Sequence, residues 1–191
     1  MPYVSVDIEA SGPIPALYDM LSFGAVRVER VGDRYVPTDD EIYVELQPTY
    51  GGVQSSAMKV HGLSLERLAA EGLPIKEAAA RIDAWVSRSA TPDDPPIFVG
   101  YCANFDWAFV NDMFLRYRKQ NPFGYKALDI RALAMGILGF SWLELSQETI
   151  LPALGLEPLD PKLAHNALED ARHQARILCA LLNRLPSPAA R

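Results

Sequence analysis

The sequence predicts an α/β protein built on a mixed sheet, with an antiparallel N-terminal meander followed by shorter strands that alternate with helices. Three observations lead there. Val4 to Ile8 is rich in β-branched residues, and residues 20–46 add extended segments spaced too closely for crossover helices. From Ser55 onward, apolar residues recur at three- and four-residue intervals, broken by brief apolar runs at 97–101 and 126–129.

In the first strand, alternation puts Asp7 and Glu9 on one face and Val4, Val6 and Ile8 on the other. Both acids fall near the strand's carboxyl end, where open α/β sheets bind ligands. Neighbouring carboxylates repel unless a cation or proton intervenes, so the pair reads as part of a hard-metal site; the plainer alternative is a solvated edge strand. Pro13-Ile14-Pro15 ends the strand, because proline lacks the ladder donor. Leu21 to Val28 is expected as a second strand, with Tyr35-Val36 and Ile42 to Leu46 as further segments separated by Pro37-Thr38-Asp39-Asp40.

Ser56–Val60 and Leu65–Ala70 read as short helices, the first stopped by Gly62 and the second capped by Ser64. Pro74 opens a longer helix carrying Ile75, Ala78, Ala79, Ile82, Trp85 and Val86, and a proline-rich loop at 91–96 ends it. Ile97–Tyr101 is a short buried strand, followed by a helix with Phe105, Phe109, Met113 and Tyr117 on one face. Lys126–Asp129 is one more short strand, and Asp129 is placed to cap a helix from Ile130. Leu145–Leu154 and Ala167–Leu185 complete the helices. With no internal repeat or linker, one domain is expected over residues 1–185, and a frayed tail over 186–191.

Composition narrows the function. The chain has 191 residues, 49% hydrophobic and 22% charged, enough for a well-buried domain and far from disordered compositions. A net charge of −6 argues against a broad basic nucleic-acid footprint and against anionic membrane surfaces. Nucleic acid is not excluded, because cations held by clustered carboxylates would neutralise the site and attract phosphate. Cys102 and Cys179 are far apart in apolar surroundings; they offer neither a disulfide framework nor a thiolate metal motif and read as core residues. The first apolar run is interrupted by acids, and no other run reaches the length of a membrane span, so the expectation is a cytoplasmic protein without membrane attachment.

Three later residues can join the acidic pair. Asp106 follows the 97–101 strand at a helix start, where an acid is commonly just a partner of the helix dipole, but where it would also bring a third carboxylate to a strand's carboxyl end. His165 and Asp170, five residues apart, would lie about 140° apart around a regular helix. A histidine just ahead of the helix, with Asp170 in its first turn, removes that conflict and leaves the imidazole on a loop. His61 could line a substrate pocket or merely close a helix, whereas His173 is expected on the solvated side of the last helix with no role. Phe23, Phe105 and Trp107 could stack on bases, although a core position is the commoner fate of such residues.

Asp7-Ile8-Glu9-Ala10-Ser11-Gly12, Asn104-Phe105-Asp106 and His165-Asn166-Ala167-Leu168-Glu169-Asp170-Ala171 together resemble the three motifs of the DEDDh 3′-5′ exonuclease family, which includes proofreading exonucleases, ribonuclease T and oligoribonuclease. Val60-His61-Gly62-Leu63 resembles a turn that those enzymes place beside the 3′-terminal nucleotide, and the similarity runs from residue 3 to about residue 184. The resemblance implies a ribonuclease-H-like fold and a hydrolase using two Mg²⁺ or Mn²⁺ ions to release nucleoside 5′-monophosphates from the 3′ ends of single-stranded RNA or DNA. It implies that Asp7 bridges both ions, Glu9 and Asp170 hold the one that activates water, Asp106 serves the second, and His165 takes the water's proton. Two such cations stabilise the entering and leaving oxygens of an in-line displacement. The resemblance also implies substrate contacts at Ala10, Ser11, Gly12, His61 and Phe105, and it admits a homodimer, since dimers occur among the smaller members.

The chain departs from the family pattern twice. Ala10-Ser11-Gly12 stands where Thr-Thr-Gly is common, and Tyr101-Cys102-Ala103-Asn104 precedes the Phe-Asp step where His-Asn-Ala is common. Two other functions compete with an exonuclease. A phosphatase with an aspartate nucleophile also begins with paired acids, but its second acid is usually Asp and it needs a later lysine, whereas here the second is Glu9 and no lysine stands out. A catalytically weak nucleic-acid-binding adaptor would be expected to lack one of the five site residues, and all are present.

Overall fold

A central strand with one apolar and one mixed face organises the chain. The structure, a computed structural model, describes residues 3–88 and 94–186. Residues 91–93 of the 91–96 loop and 187–191 of the tail lie outside those residues. β1 (Tyr3–Ala10) pairs antiparallel with β2 (Met20–Val31), which pairs antiparallel with β3 (Arg34–Glu45). Then come α1 (Ser55–His61), α2 (Leu65–Glu71) and α3 (Ile75–Ser87). β4 (Ile97–Gly100) adds parallel to the other edge of β1, α4 (Ala103–Tyr117) follows, and β5 (Ala127–Asp129) adds parallel to β4. The helices α5 (Ile130–Leu138), α6 (Gln147–Leu154) and α7 (Ala167–Leu182) complete a mixed sheet of order β3-β2-β1-β4-β5. Among the described residues, no helix is long and apolar enough to cross a membrane.

The alternation expected of β1 holds. Val4, Val6 and Ile8 are buried in a core with Ile82 and Val86 of α3 and Phe109, Met113 and Phe114 of α4. Ser5 and Asp7 face the opposite side, where Ser5 Oγ donates to the Ala171 carbonyl of α7 at 2.9 Å. On that side Val26, Val28 and Val99 meet α5, α6 and α7 through Ile130, Ile150 and Leu178. Each face of the sheet therefore has its own apolar core.

Three details differ from the expectations. Residues 35–36 and 42–46 belong to one strand, β3, because a register irregularity between Val26 and Val28 absorbs Pro37-Thr38-Asp39-Asp40. Pro37 is tolerated there because β3 is the sheet edge. Leu145 precedes its helix instead of opening it: a 3₁₀ turn at Trp142–Glu144, closed by a Ser141–Glu144 capping box, comes first. His173 is 3% exposed, not solvated. α7 is covered by the sheet on one side and by α5 and α6 on another, so its buried arc is wider than a single amphipathic stripe.

Gly24 determines how closely α7 approaches. It sits mid-strand opposite Asp7, and a Cβ at Gly24 would overlap the Ala167 carbonyl and the Leu168 nitrogen. The first turn of α7 therefore rests directly on backbone. Farther along, Arg172 of α7 pairs with Glu41 of β3 and with Glu169, which fixes the helix's rotation over the sheet. Gly24→Ala should force α7 outward, lowering unfolding stability by about 2–3 kcal/mol in urea titrations, as overpacking does, whereas a surface Gly→Ala change such as Gly136→Ala, which meets nothing, should not.

Candidate active site

The carboxyl ends of β1 and β4 and the N-terminus of α7 converge on one cleft. Asp7, Glu9, Asp106, His165 and Asp170 all line it, around a volume of about 250 Å³. The four acids and the histidine read from the sequence are thus brought together by three separate elements and one loop.

Each element fixes its residue for a local reason. Asp7 and Glu9 share the face of β1 that looks toward α7. Asp106 lies in the first turn of α4, buried, with Oδ1 accepting from the Ile8 amide at 3.2 Å, so the carboxyl is clamped to the neighbouring strand. Asp129 accepts from the amides of both Ala103 (2.9 Å) and Ala132 (2.8 Å), capping α5 as expected and also pinning the start of α4. Asn166 caps α7 by accepting from Leu168 and Glu169, so Asp170 falls in its first turn while His165 stays outside the helix. His165 is exposed, with φ of +64°, a left-handed conformation that few non-glycine residues adopt. One ligand atom each from Glu9, His165 and Asp170 lie within 4.8 Å of one another.

The electrostatics are dominated by burial and mutual repulsion. Asp7 is pushed well above the usual carboxylate range, first by burial and then by Asp106, Asp170 and Glu9, against a hydrogen bond from Gln174 that pulls it down. Glu9 is pushed up to about 8 by burial and by the Asp170 and Asp106 charges. Asp106 rises to about 7 by burial, opposed by the Ile8 amide, and burial also raises Asp170. Without a cation, protons are what relieve this cluster.

Sequence reading missed Gln174. Its Nε2 donates to Asp7 Oδ1 at 2.6 Å and its Oε1 accepts from the Tyr101 amide at 3.0 Å, so one side chain ties the central acid to the end of β4. Nothing in the sequence marks it, because the burial of a mid-helix glutamine one turn after Asp170 shows only in the folded chain. Cys102 departs from its expected core position. It is half-buried at the start of α4 on the cleft wall, and its sulfur accepts from Arg131 at 3.6 Å. Cys179 is buried as expected.

The expected substrate contacts divide. Phe105 lies on the cleft wall, 36% exposed. His61 borders an adjoining pocket of about 320 Å³ that shares His165, and its Nδ1 accepts from the Leu63 amide. Burial lowers the His61 pKa, favouring the neutral ring. Ala10, Ser11 and Gly12 are buried. Ser11 is committed internally: its hydroxyl donates to Gly52 and accepts from the Asp19 amide, and its carbonyl accepts from Gln54, so it braces the surrounding loops and offers no side chain to a ligand. Gly12 is a glycine because Tyr18 lies flat against it, where a Cβ would overlap the ring. Phe23 is core, and Trp107 packs on the core.

Residues 3–182 match the profile of the 3′-5′ exoribonuclease Rv2179c-like domain. The chain belongs to that family. This exonuclease domain is 37% identical over 175 residues to the 3′-5′ DNA exonuclease Cap18 of Escherichia coli, spanning 92% of this chain and 88% of that protein. It is 26% identical to ribonuclease T of Actinobacillus pleuropneumoniae, spanning 95% and 84%. Among solved structures, the nuclease domain of 3′hExo, a DEDDh family member bound to rAMP, aligns with a TM-score of 0.74 at 15% identity over 95% of this chain and 91% of that one. E. coli exonuclease I in complex with a dT13 oligonucleotide aligns with a TM-score of 0.70 at 22% identity over 98% of this chain and 42% of that one. The exonuclease domain therefore has the ribonuclease-H-like sheet expected from its motifs.

The raised carboxyls carry a pH signature. In cation-free protein, Asp106 and Glu9 hold protons up to about 7 and about 8, whereas the unfolded chain releases them near pH 4. Their stabilising contribution is therefore complete below pH 4 and is lost as pH rises to 8. His61 and His173, kept neutral by burial, act in the opposite sense below about pH 6.5, so the comparison is with a variant. In chelator, Asp106→Asn should become progressively more stable than wild type between pH 5 and 8 by urea titration, and saturating Mn²⁺ should shrink that gap. A gap independent of pH would contradict the proton sharing.

Proposed function

We propose that this chain hydrolyses single-stranded RNA or DNA from the 3′ end, releasing nucleoside 5′-monophosphates, with Mg²⁺ or Mn²⁺ held by Asp7, Glu9, Asp106 and Asp170. The observation that carries this reading is the packing of four carboxyls into one cleft, where burial raises the pKa of every one of them. A structural role would not favour that arrangement, and oxygen donors of this kind suit hard divalent cations. Bound there, such ions supply neutralisation of the charge that builds on the phosphodiester during displacement.

The chain's own residues do the rest. Gln174 holds the Asp7 carboxyl in one orientation, and the Ile8 amide holds Asp106. His165, exposed beside Glu9 and Asp170, is positioned to accept a proton from a water entering between them. The water oxygen bonds to phosphorus as the bond from phosphorus to the 3′-oxygen of the preceding nucleotide breaks, and that oxygen takes a proton from solvent. Phe105 on the cleft wall offers a face to the terminal base. An aspartyl nucleophile gains no support, because among the described residues no lysine lines the cleft.

Purified protein with Mn²⁺ should release mononucleotides stepwise from 5′-labelled oligonucleotides, and chelator should stop it. Matched RNA and DNA strands run side by side set the sugar preference. Asp7→Ala should abolish turnover and weaken Mn²⁺ binding measured by calorimetry. His165→Ala should lower kcat by about 10²–10⁴-fold while Mn²⁺ affinity stays close to wild type; equal loss of ion affinity in both variants would overturn the assigned roles.

A further inference from the structure

The exposed surface beside the cleft carries an apolar platform that the exonuclease reading leaves unused. Trp142 is 61% and Leu143 94% exposed, and Met135 is exposed on the neighbouring face of α5. Solvation of a lone side chain would need no explanation, but three exposed apolar residues lie close together and Trp142 is held in place. The Ser141–Glu144 capping box closes the turn that bears Trp142, and Trp142 lies over Arg131 with the guanidinium carbon 4.9 Å from the ring centroid. Arg131 is itself anchored, its Nε donating to the Leu145 carbonyl at 3.0 Å and its Nη1 to Cys102 Sγ. Cys102 is on the wall of the catalytic cleft, and Gln147, just after the turn, lines that cleft as well.

From this continuity we propose that Trp142 and Arg131 form a binding platform for single-stranded nucleic acid, contacting the part of the strand that leads away from the cleft. The inference rests on the exonuclease reading and extends it to substrates longer than the nucleotides at the reacting bond. Base stacking on an indole is independent of sequence, because every base has a π-face, and a cation beneath the ring strengthens the stack. Among the described residues Arg131 has no carboxylate within ion-pair distance, only the Asp129 charge farther off beside its hydrogen bonds to Leu145 and Cys102, so its guanidinium can still meet a phosphate as well as the indole. A partner protein's apolar surface would match Leu143 and Met135 equally but would leave the guanidinium without an anion in direct contact. Pairing with a phosphate next to a stacked base satisfies both groups together.

The test compares a dinucleotide with a dodecamer of the same sequence, in Mn²⁺, by kcat/KM. Trp142→Ala should reduce the preference for the dodecamer by about tenfold, the equivalent of one stacked base, chiefly through KM, and Trp142→Phe should restore most of it. Arg131→Met should make the salt dependence of dodecamer binding shallower, its logarithmic slope falling by about 0.7, the loss of one phosphate contact on a single strand. An unchanged length preference in Trp142→Ala, with wild type cleaving both substrates, overturns the platform and leaves the exonuclease reading standing. Failure of wild type to cleave either substrate overturns both. A change from dimer to monomer in Trp142→Ala by light scattering, without a change in length preference, assigns this face to a second copy of the chain and likewise overturns the proposal.

Discussion

Contact between the first turn of α7 and bare backbone at Gly24 is the constraint on which the cleft depends. β1 presents Asp7 and Glu9 on the face that α7 covers, and the distance between sheet and helix decides whether Asp170 and His165 join them. With an ordinary side chain at position 24, the helix would stand off by the thickness of that side chain. The three-ligand-atom grouping of Glu9, His165 and Asp170 within 4.8 Å would then open. Ser5, donating to the Ala171 carbonyl one turn along, and Arg172, paired with Glu41, hold the helix at that depth. The geometry of the cleft is in this sense a packing property of the sheet.

Much of this was legible because hydrophobic periodicity and strand alternation are strong signals where one face of an element is buried. Asp7 and Glu9 were assigned to one face of β1 from alternation alone, and His165 and Asp170 were sorted between loop and helix from the 3.6-residue turn. Asp129 was read as a cap, and it is one. What could not be read were interactions set by tertiary contact. The expected division of β3 at Pro37 failed because an edge strand with an irregular register tolerates proline. His173 was misplaced because a single-helix pattern does not show how many neighbours cover a helix. Ser11 was expected at the substrate, yet its hydroxyl is spent bracing Gly52 and Asp19, a pairing across 41 residues in one case. Gln174 escaped notice because a glutamine mid-helix carries no signal until Asp7 and Tyr101 are seen on either side of it.

The site divides into rigid and adjustable parts. Three of the acids are clamped by regular structure: Asp7 by Gln174, Asp106 by the Ile8 amide, and Asp170 by its place in the capped first turn of α7. His165 alone sits on a loop, in a left-handed conformation, and is exposed. Groups that must share charge need fixed spacing, because Coulomb energies at these separations change steeply with distance in a partly buried site. On the proposed reading His165 accepts a proton from an entering water, a task that needs access more than rigidity. The division of labour follows from which residues the fold could bury and which it left to solvent.

An acidic chain of net charge −6 with a cluster of buried carboxyls is an unusual receptor for a polyanion, and the arrangement has a consequence for how a strand is held. On the proposed reading, the cluster repels phosphate until cations occupy it, so ion binding and strand binding are coupled and each strengthens the other. The remaining affinity has to come from contacts that do not depend on a broad positive surface. Stacking surfaces meet that requirement, since they bind bases without a large basic footprint and leave the salt dependence shallow. Phe105 on the cleft wall and the Trp142–Arg131 pair beyond it are placed where such contacts would act, one at the reacting end of the strand and the other farther along it. On the same reading, a protein of this charge would act on nucleic acid ends because recognition would be concentrated at the terminus, where cations and aromatic faces would coincide, while a net negative charge would disfavour binding along the length of a duplex.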